Sequence, residues 1–172
     1  MHLSREQIEH FHRDGYIYLG PVLSPEELEE ARQAYGRLVL GENKPDSFRD
    51  IGLSDNQTGT RESVLQVLNC YRLDEVFNRI ETRPDVVDVV EALLGTPSIR
   101  LYGDQALYKP PRHGSRVLWH QDNGYWQFDP AAAVSMWLAL DDADESNGCM
   151  WVIPGSHREG LVSHTPSQEN EV

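Results

Sequence analysis

The sequence predicts an α+β fold, with helices gathered on one side of a β-sandwich. Three observations predict it. Caps and apolar residues at helical spacing fill the chain up to Gly95. Short strand-like runs then follow from residue 98 to residue 153, separated by turn-rich segments. No repeat, low-complexity tract or linker interrupts the chain, so residues 1–172 read as a single domain.

The elements follow in order. Ser4 with Gln7 is a capping-box pattern, Ile8 and Phe11 share one helical face, and Gly15 ends the helix. Residues 16–19 (YIYL) are aromatic and β-branched and read as a strand. Ser24, Pro25 and Glu27 open a second helix, and Leu28, Ala31, Tyr35 and Leu38 recur at helical spacing up to Gly41. Residues 42–60 are polar and rich in Gly, Asn and Asp, and read as a long loop, either a lid over a site or surface slack. Residues 84–95 form a further helix, with proline at its start, Val86, Val87, Val90, Leu93 and Leu94 inside, and glycine at its end. Strands are expected over 98–108, 116–122, 133–140 and 149–153. PPRHGS separates the first pair and DDADESNG the last, where Asn147-Gly148 is a hairpin-turn signal.

Composition removes some function classes. The net charge of −13 argues against a nucleic-acid or anionic-membrane surface, which would need a basic patch. No run approaches the roughly 18 apolar residues that span a bilayer, and MHLSREQIEHFH lacks a signal-peptide pattern. A soluble, cytoplasmic protein is the expectation. Cys70 and Cys149 lie far apart in sequence and read as two buried or half-buried thiols.

The chemistry-bearing segment is WHQDNGYW, residues 119–126. On a strand, positions i and i+2 point to the same face, so His120 and Asp122 would project side by side. An imidazole and a carboxylate, joined by a distant second histidine, make the facial triad of non-haem Fe(II) oxygenases, which leaves three positions on the metal for co-substrate and oxygen. Taken alone, His-x-Asp is also what a strand-end histidine bonded to a nearby aspartate looks like. Gln105, Leu107 and Lys109 share one parity, so an amide and an ammonium could face one cavity; a solvated strand-end lysine fits equally. Trp137 sits in a run, 133–140, that is apolar on both faces, which predicts core packing whether or not the indole also touches a ligand. Tyr125 and Trp126 read as a pocket wall or as a surface pair closing a loop.

Four stretches, in order, resemble the phytanoyl-CoA dioxygenase family of Fe(II)/2-oxoglutarate-dependent oxygenases. They are the N-terminal EQIEHFHRDGYIYL with LSPEELEEAR, the YKPP strand end, the HQD segment, and NGCMWVIPGSH. The resemblance covers nearly the whole chain. It implies a double-stranded β-helix, a cupin-like jelly roll flanked by N-terminal helices with the metal between its sheets. It implies Fe(II), 2-oxoglutarate and O2 as cofactor and co-substrates, and a reaction that hydroxylates an unactivated C–H of a small organic substrate. His120 and Asp122 correspond to the first two iron ligands and hence to the catalytic pair. Lys109 and Trp137 match positions that contact or line 2-oxoglutarate, and Gln105 lies in the same strand as Lys109. Trp126, with Tyr125 beside it, matches a substrate-lining aromatic. Related halogenases lack the carboxylate, so Asp122 implies hydroxylation. The histidine of PGSH, His157, is structural in the family.

The family's distal histidine, and the arginine that holds the far carboxylate of 2-oxoglutarate, do not occur before Val172. About half of the jelly-roll strands are present, so the C-terminal strands are missing from this sequence. The expectation is an N-terminal piece of a longer oxygenase, acting as a monomer or homodimer on a small molecule. The alternative is a non-catalytic jelly-roll module for binding or assembly, whose uncovered sheet edges would need a partner chain.

Overall fold

A computed structural model describes residues 1–52, 54–55, 60–130 and 132–163, and they group into two compact units. One comprises residues 1–24, 80–101 and 120–163; the other comprises 25–79 and 102–119.

In the first unit, α1 (Arg5–Asp14) opens with the expected capping box: the Ser4 hydroxyl accepts from the Gln7 N–H, and the Gln7 side chain accepts from the Ser4 N–H at 2.8 Å. Gly15 ends it in the left-handed region, φ 83°, donating to Phe11 O at 2.7 Å. The helix α5 (Pro84–Leu94) packs against α1 and buries Val86, Val89 and Leu93, positions three and four apart on one face. Gly95 ends it, again left-handed. Arg83, just before α5, forks both nitrogens onto the Asp85 carboxylate at 2.8 and 3.0 Å and also donates to Val22 O. Residues 16–19, expected as a strand, form no strand pairing among the described residues; Tyr18 is exposed, and Tyr16 stands edge-on to His10.

The second unit is built on α2 (Pro25–Tyr35), which runs into a π-helical turn, Gly36–Leu40. The wider turn buries Val39 and leaves Leu40 exposed. Three antiparallel strands pack on it: β1 (Phe48–Asp50), β4 (Leu65–Leu68) and β5 (Gln105–Tyr108), in the order β1-β4-β5. Alternation along β5 sorts its residues, with Ala106 buried in a cluster with Val39, Val67 and Cys70, and Gln105 and Leu107 on the opposite, exposed face. Tyr35 donates its hydroxyl to Leu107 O at 2.8 Å, tying helix to sheet. Two short helices, α3 (Cys70–Leu73) and α4 (Glu75–Glu81), complete the chain between β4 and α5.

The α+β composition holds, and several details differ from expectation. The stretch 42–60 contains β1, and a small antiparallel pair, β2 (Ser54–Asp55) with β3 (Thr60–Arg61), extends just past it. Asp50 organises this region, because its carboxylate accepts from the Gly52 and Val64 N–H groups and from the Ser63 hydroxyl. Aspartate and glycine read as loop in a sequence, yet here Asp50 pairs with Leu65 at the end of the β1–β4 ladder and ties that end to residues 63 and 64. Of residues 98–108 only β5 is a strand. The runs 116–122, 133–140 and 149–153 form no ladder among the described residues, and Trp119, Trp137, Trp151 and Ile153 are exposed. An apolar alternating run is a strand only when a neighbour takes up its backbone N–H and C=O groups. Cys70 is buried and Cys149 half-buried, both as free thiols. Among the described residues no helix is long and apolar enough to cross a membrane.

Candidate metal centre

His120 and Asp122 do come together. His120 Nε2 lies 3.4 Å from Asp122 Oδ1, with both side chains between one third and one half exposed. They reach one side by a route that strand alternation does not describe. Asp122 is already helical (φ −53°, ψ −38°) and starts a single turn, α6 (Asn123–Trp126). Gln121, between them, anchors the segment elsewhere. Its amide nitrogen donates to Gly160 O at 2.9 Å and its amide oxygen accepts from the Val162 N–H at 2.9 Å. This side chain thus makes the two bonds that a neighbouring strand would otherwise supply.

The turn after Asp122 is locked by Asn123. The Phe128 N–H donates to Asn123 Oδ1 at 2.8 Å, and Asn123 Nδ2 donates to Phe128 O at 3.2 Å. Gln127 ends the turn in the left-handed region, φ 56°. The lock sets Tyr125 edge-on to the His120 ring, centroids 5.8 Å apart, and Trp126 against Phe128 at 5.6 Å. The Tyr125 ring is largely exposed.

The carboxylate has a second partner. Ser135 Oγ donates to Asp122 Oδ2 at 2.9 Å. The His120 imidazole, against the opposing effect of burial, and then this hydroxyl hold the Asp122 carboxyl below the usual carboxylate range. At 3.4 Å the imidazole contact is longer than a well-formed N–H···O bond, so the serine bond is the better defined of the two. The site therefore offers an ionised carboxylate beside an imidazole at neutral pH.

The remaining candidates separate. Trp137, expected in the core, is about half exposed, and among the described residues its run has no sheet to pack into. Gln105 and Lys109 belong to the second unit. Gln105 lies on the exposed face of β5, where its amide oxygen accepts from Gln66 Nε2. Lys109 follows the strand, half-buried, in a turn that brings its Cβ close to Gly114. His157 is placed as a clasp: its Nε2 donates to His12 O at 3.1 Å while its ring lies over Gly15. His164, a further histidine in the polar tail, lies outside the described residues. Among the described residues no third His, Cys, Asp or Glu joins the pair to form a metal-ligating group.

The model for the family described as "Phytanoyl-CoA dioxygenase (PhyH)" matches residues 11–171. The chain belongs to the phytanoyl-CoA dioxygenase family. Over 169 residues it is 30% identical to the peroxisomal phytanoyl-CoA dioxygenase of Bos taurus, covering 94% of this chain and 50% of that one. Phytanoyl-CoA dioxygenase 1 of Oryza sativa subsp. japonica is 29% identical over 189 residues, covering 92% and 66%. The L-proline trans-4-hydroxylase of Streptomyces griseoviridis is 31% identical over 157 residues, covering 89% and 55%. The crystal structure of EctD from S. alaskensis with bound Fe superposes with a TM-score of 0.58 at 24% identity, over 74% of this chain and 43% of that one. At that identity the likeness bears on fold alone. The chain spans about half the length of most of these relatives.

Sequence reasoning missed three residues that shape the pair. Ser135 is the one hydroxyl in the run AAAVSMWLAL, and a lone polar residue among apolar ones was the available signal. Asn123 stands at a turn start, where Asx side chains commonly bond to the backbone. Gln121 gave no signal, because a glutamine between two candidate ligands reads as spacer.

Proposed function

We propose that the chain carries part of the catalytic site of a non-haem Fe(II)/2-oxoglutarate-dependent dioxygenase that hydroxylates an unactivated C–H bond of a small organic substrate. One observation carries the proposal: His120 and Asp122 converge at 3.4 Å, with the carboxylate held ionised, in a member of this family. The donor set fits the metal. With bonds of about 2.1 Å, two donors on opposite sides of an ion would stand ~4.2 Å apart, so 3.4 Å lets both reach one ion on the same side. Bound iron with 2-oxoglutarate and O2 supplies the oxidising power, which no side chain has.

The chain's own residues have defined tasks in this reading. His120 and Asp122 are the ligands, and Gln121 and Asn123 fix the backbone on either side of them. Trp137 is the proposed wall for 2-oxoglutarate, while the 2-oxoglutarate roles of Lys109 and Gln105, which belong to the other unit, rest on the family resemblance alone. Tyr125 and Trp126 are the proposed aromatic wall on the substrate side. The fold proposed is a jelly roll of one domain. Cytoplasm is the proposed compartment. The Bos taurus relative is named as peroxisomal, so a fluorescent fusion is the check.

The test is succinate formation by the full-length protein with Fe(II), 2-oxoglutarate and O2, across candidate substrates. The reading expects turnover in the wild type and a loss of at least about 100-fold with His120→Ala or Asp122→Ala. Equal succinate formation in wild type and both variants refutes it. A wild type that binds a ligand without any turnover supports the alternative of a non-catalytic module.

A further inference from the structure

The two oxygens of Asp122 have different surroundings. Oδ1 faces His120 Nε2 at 3.4 Å, and Oδ2 accepts the Ser135 hydroxyl at 2.9 Å from thirteen residues further along the chain. We infer that Ser135 is a positioning residue for the Asp122 ligand, holding Oδ2 so that Oδ1 alone is presented beside the imidazole. The inference rests on the iron reading above.

The physical need is specific. The terminal torsion of an aspartate is broad and two-fold, so an unrestrained carboxylate presents either oxygen, or both, to a cation. A carboxylate bound through both oxygens takes an additional position on the metal. The facial arrangement works because the protein occupies three positions and leaves three. A hydroxyl that occupies Oδ2 removes the two-fold degeneracy and opposes two-oxygen binding. Ser135 reaches Asp122 without displacing the backbone bonds around it, because Gln121 and Asn123 already fix the segment. Partners that orient metal ligands in this way are worth about 10- to 100-fold in metal affinity. Ser135 is exposed and Asp122 partly so, which places the expected effect at the lower end, about 10-fold.

Co(II) is the probe, titrated anaerobically into the intact protein and read by visible absorption. Ser135→Ala should bind about 10-fold more weakly than wild type. Ser135→Thr keeps the hydroxyl and should restore the wild-type affinity. Ser135→Val matches threonine in shape without the hydroxyl and should behave as alanine does; this pair decides the matter should the alanine variant fold poorly. Thermal unfolding of each apo variant separates a loss of affinity from a loss of stability. Equal Co(II) affinity across wild type, Ala, Thr and Val overturns the role of Ser135 and leaves the iron reading standing. Equal weakening in Thr and Val overturns it too, since the hydroxyl would then not be the cause. Wild-type Co(II) binding unchanged by Asp122→Ala overturns the iron reading, and with it this inference.

Discussion

Gly15→Ala is the substitution whose cost the structure defines most closely. Gly15 has φ 83°, and a Cβ added there would stand 2.4 Å from His157 Nδ1 and 2.9 Å from its Cγ. Two penalties follow. An L-residue in the left-handed region costs about 1–2 kcal/mol. The imidazole must also move, giving up its 3.1 Å bond to His12 O, at about 1 kcal/mol. The neighbouring bond from the Gly155 N–H to Asp14 O, at 2.8 Å, holds the 155–157 segment in place, so the ring has little freedom to yield. The sum is about 2–3 kcal/mol in the wild-type background. In a His157→Ala background the space is already empty, and Gly15→Ala should cost the backbone part alone, about 1–2 kcal/mol. Urea unfolding of the four proteins measures the coupling directly, with about 1 kcal/mol expected. Strict additivity, within about 0.3 kcal/mol, would show that ring and glycine do not share this space. The same experiment bears on function. A clasp can be removed without changing Co(II) affinity, so weaker Co(II) binding by His157→Ala would contradict the structural role assigned to this histidine.

Two further predictions follow from the hydrogen bonds. The Arg83 guanidinium, against burial, holds the Asp85 carboxyl below its ordinary value, and the N-terminal ammonium at 3.7 Å adds to this. A carboxyl depressed in the folded state stabilises fully above the unfolded value of about 3.9, and that stability is lost as pH falls through the lowered folded value. Arg83→Met should therefore destabilise more at pH 6 than at pH 2.5, with the bond to Val22 O lost at both; a pH-independent difference in unfolding midpoint would refute the pairing. Gln121→Ala should free residues 160–162, speeding hydrogen exchange at the Val162 amide by about 10-fold, one hydrogen bond's worth, while exchange within α5 stays unchanged.

The helical part of the fold was legible because its signals are local. Ser4 and Gln7 satisfy each other across one turn, and Gly15 and Gly95 end their helices in the conformation that glycine adopts without strain. These features lie within a few residues of sequence. β1 was not legible: Phe48 and Asp50 pair with Val67 and Leu65, and Asp50 gathers donors as far off as Val64, so the information sits in partners and not in the run itself. Strand-like texture beyond residue 110 had the opposite fate. Its alternation and apolar content are present, yet a strand is a property of a pair, and among the described residues these runs have no ladder.

The site shows the same division more sharply. Residue types carried the pairing of His120 with Asp122, since an imidazole and a carboxylate two apart announce themselves. The geometry that unites them did not follow from strand parity, because Asp122 has already turned into α6. What brings the pair to 3.4 Å is a bend held on three sides: Gln121 to residues 160 and 162, Asn123 to Phe128, and Ser135 to the carboxylate itself. Each is an uncharged side chain that would pass as filler in a list of candidate catalytic groups. A ligand's identity is chemical and can be read from one letter. In the proposed centre a ligand's aim is set by whatever bonds the atoms that do not face the metal, and the bonds around His120 and Asp122 come from as far as forty-one residues along the chain. The variants most informative about this proposed centre are therefore the conservative ones, Ser135→Thr against Ser135→Val, which leave His120 and Asp122 in place and change only how the carboxylate is held.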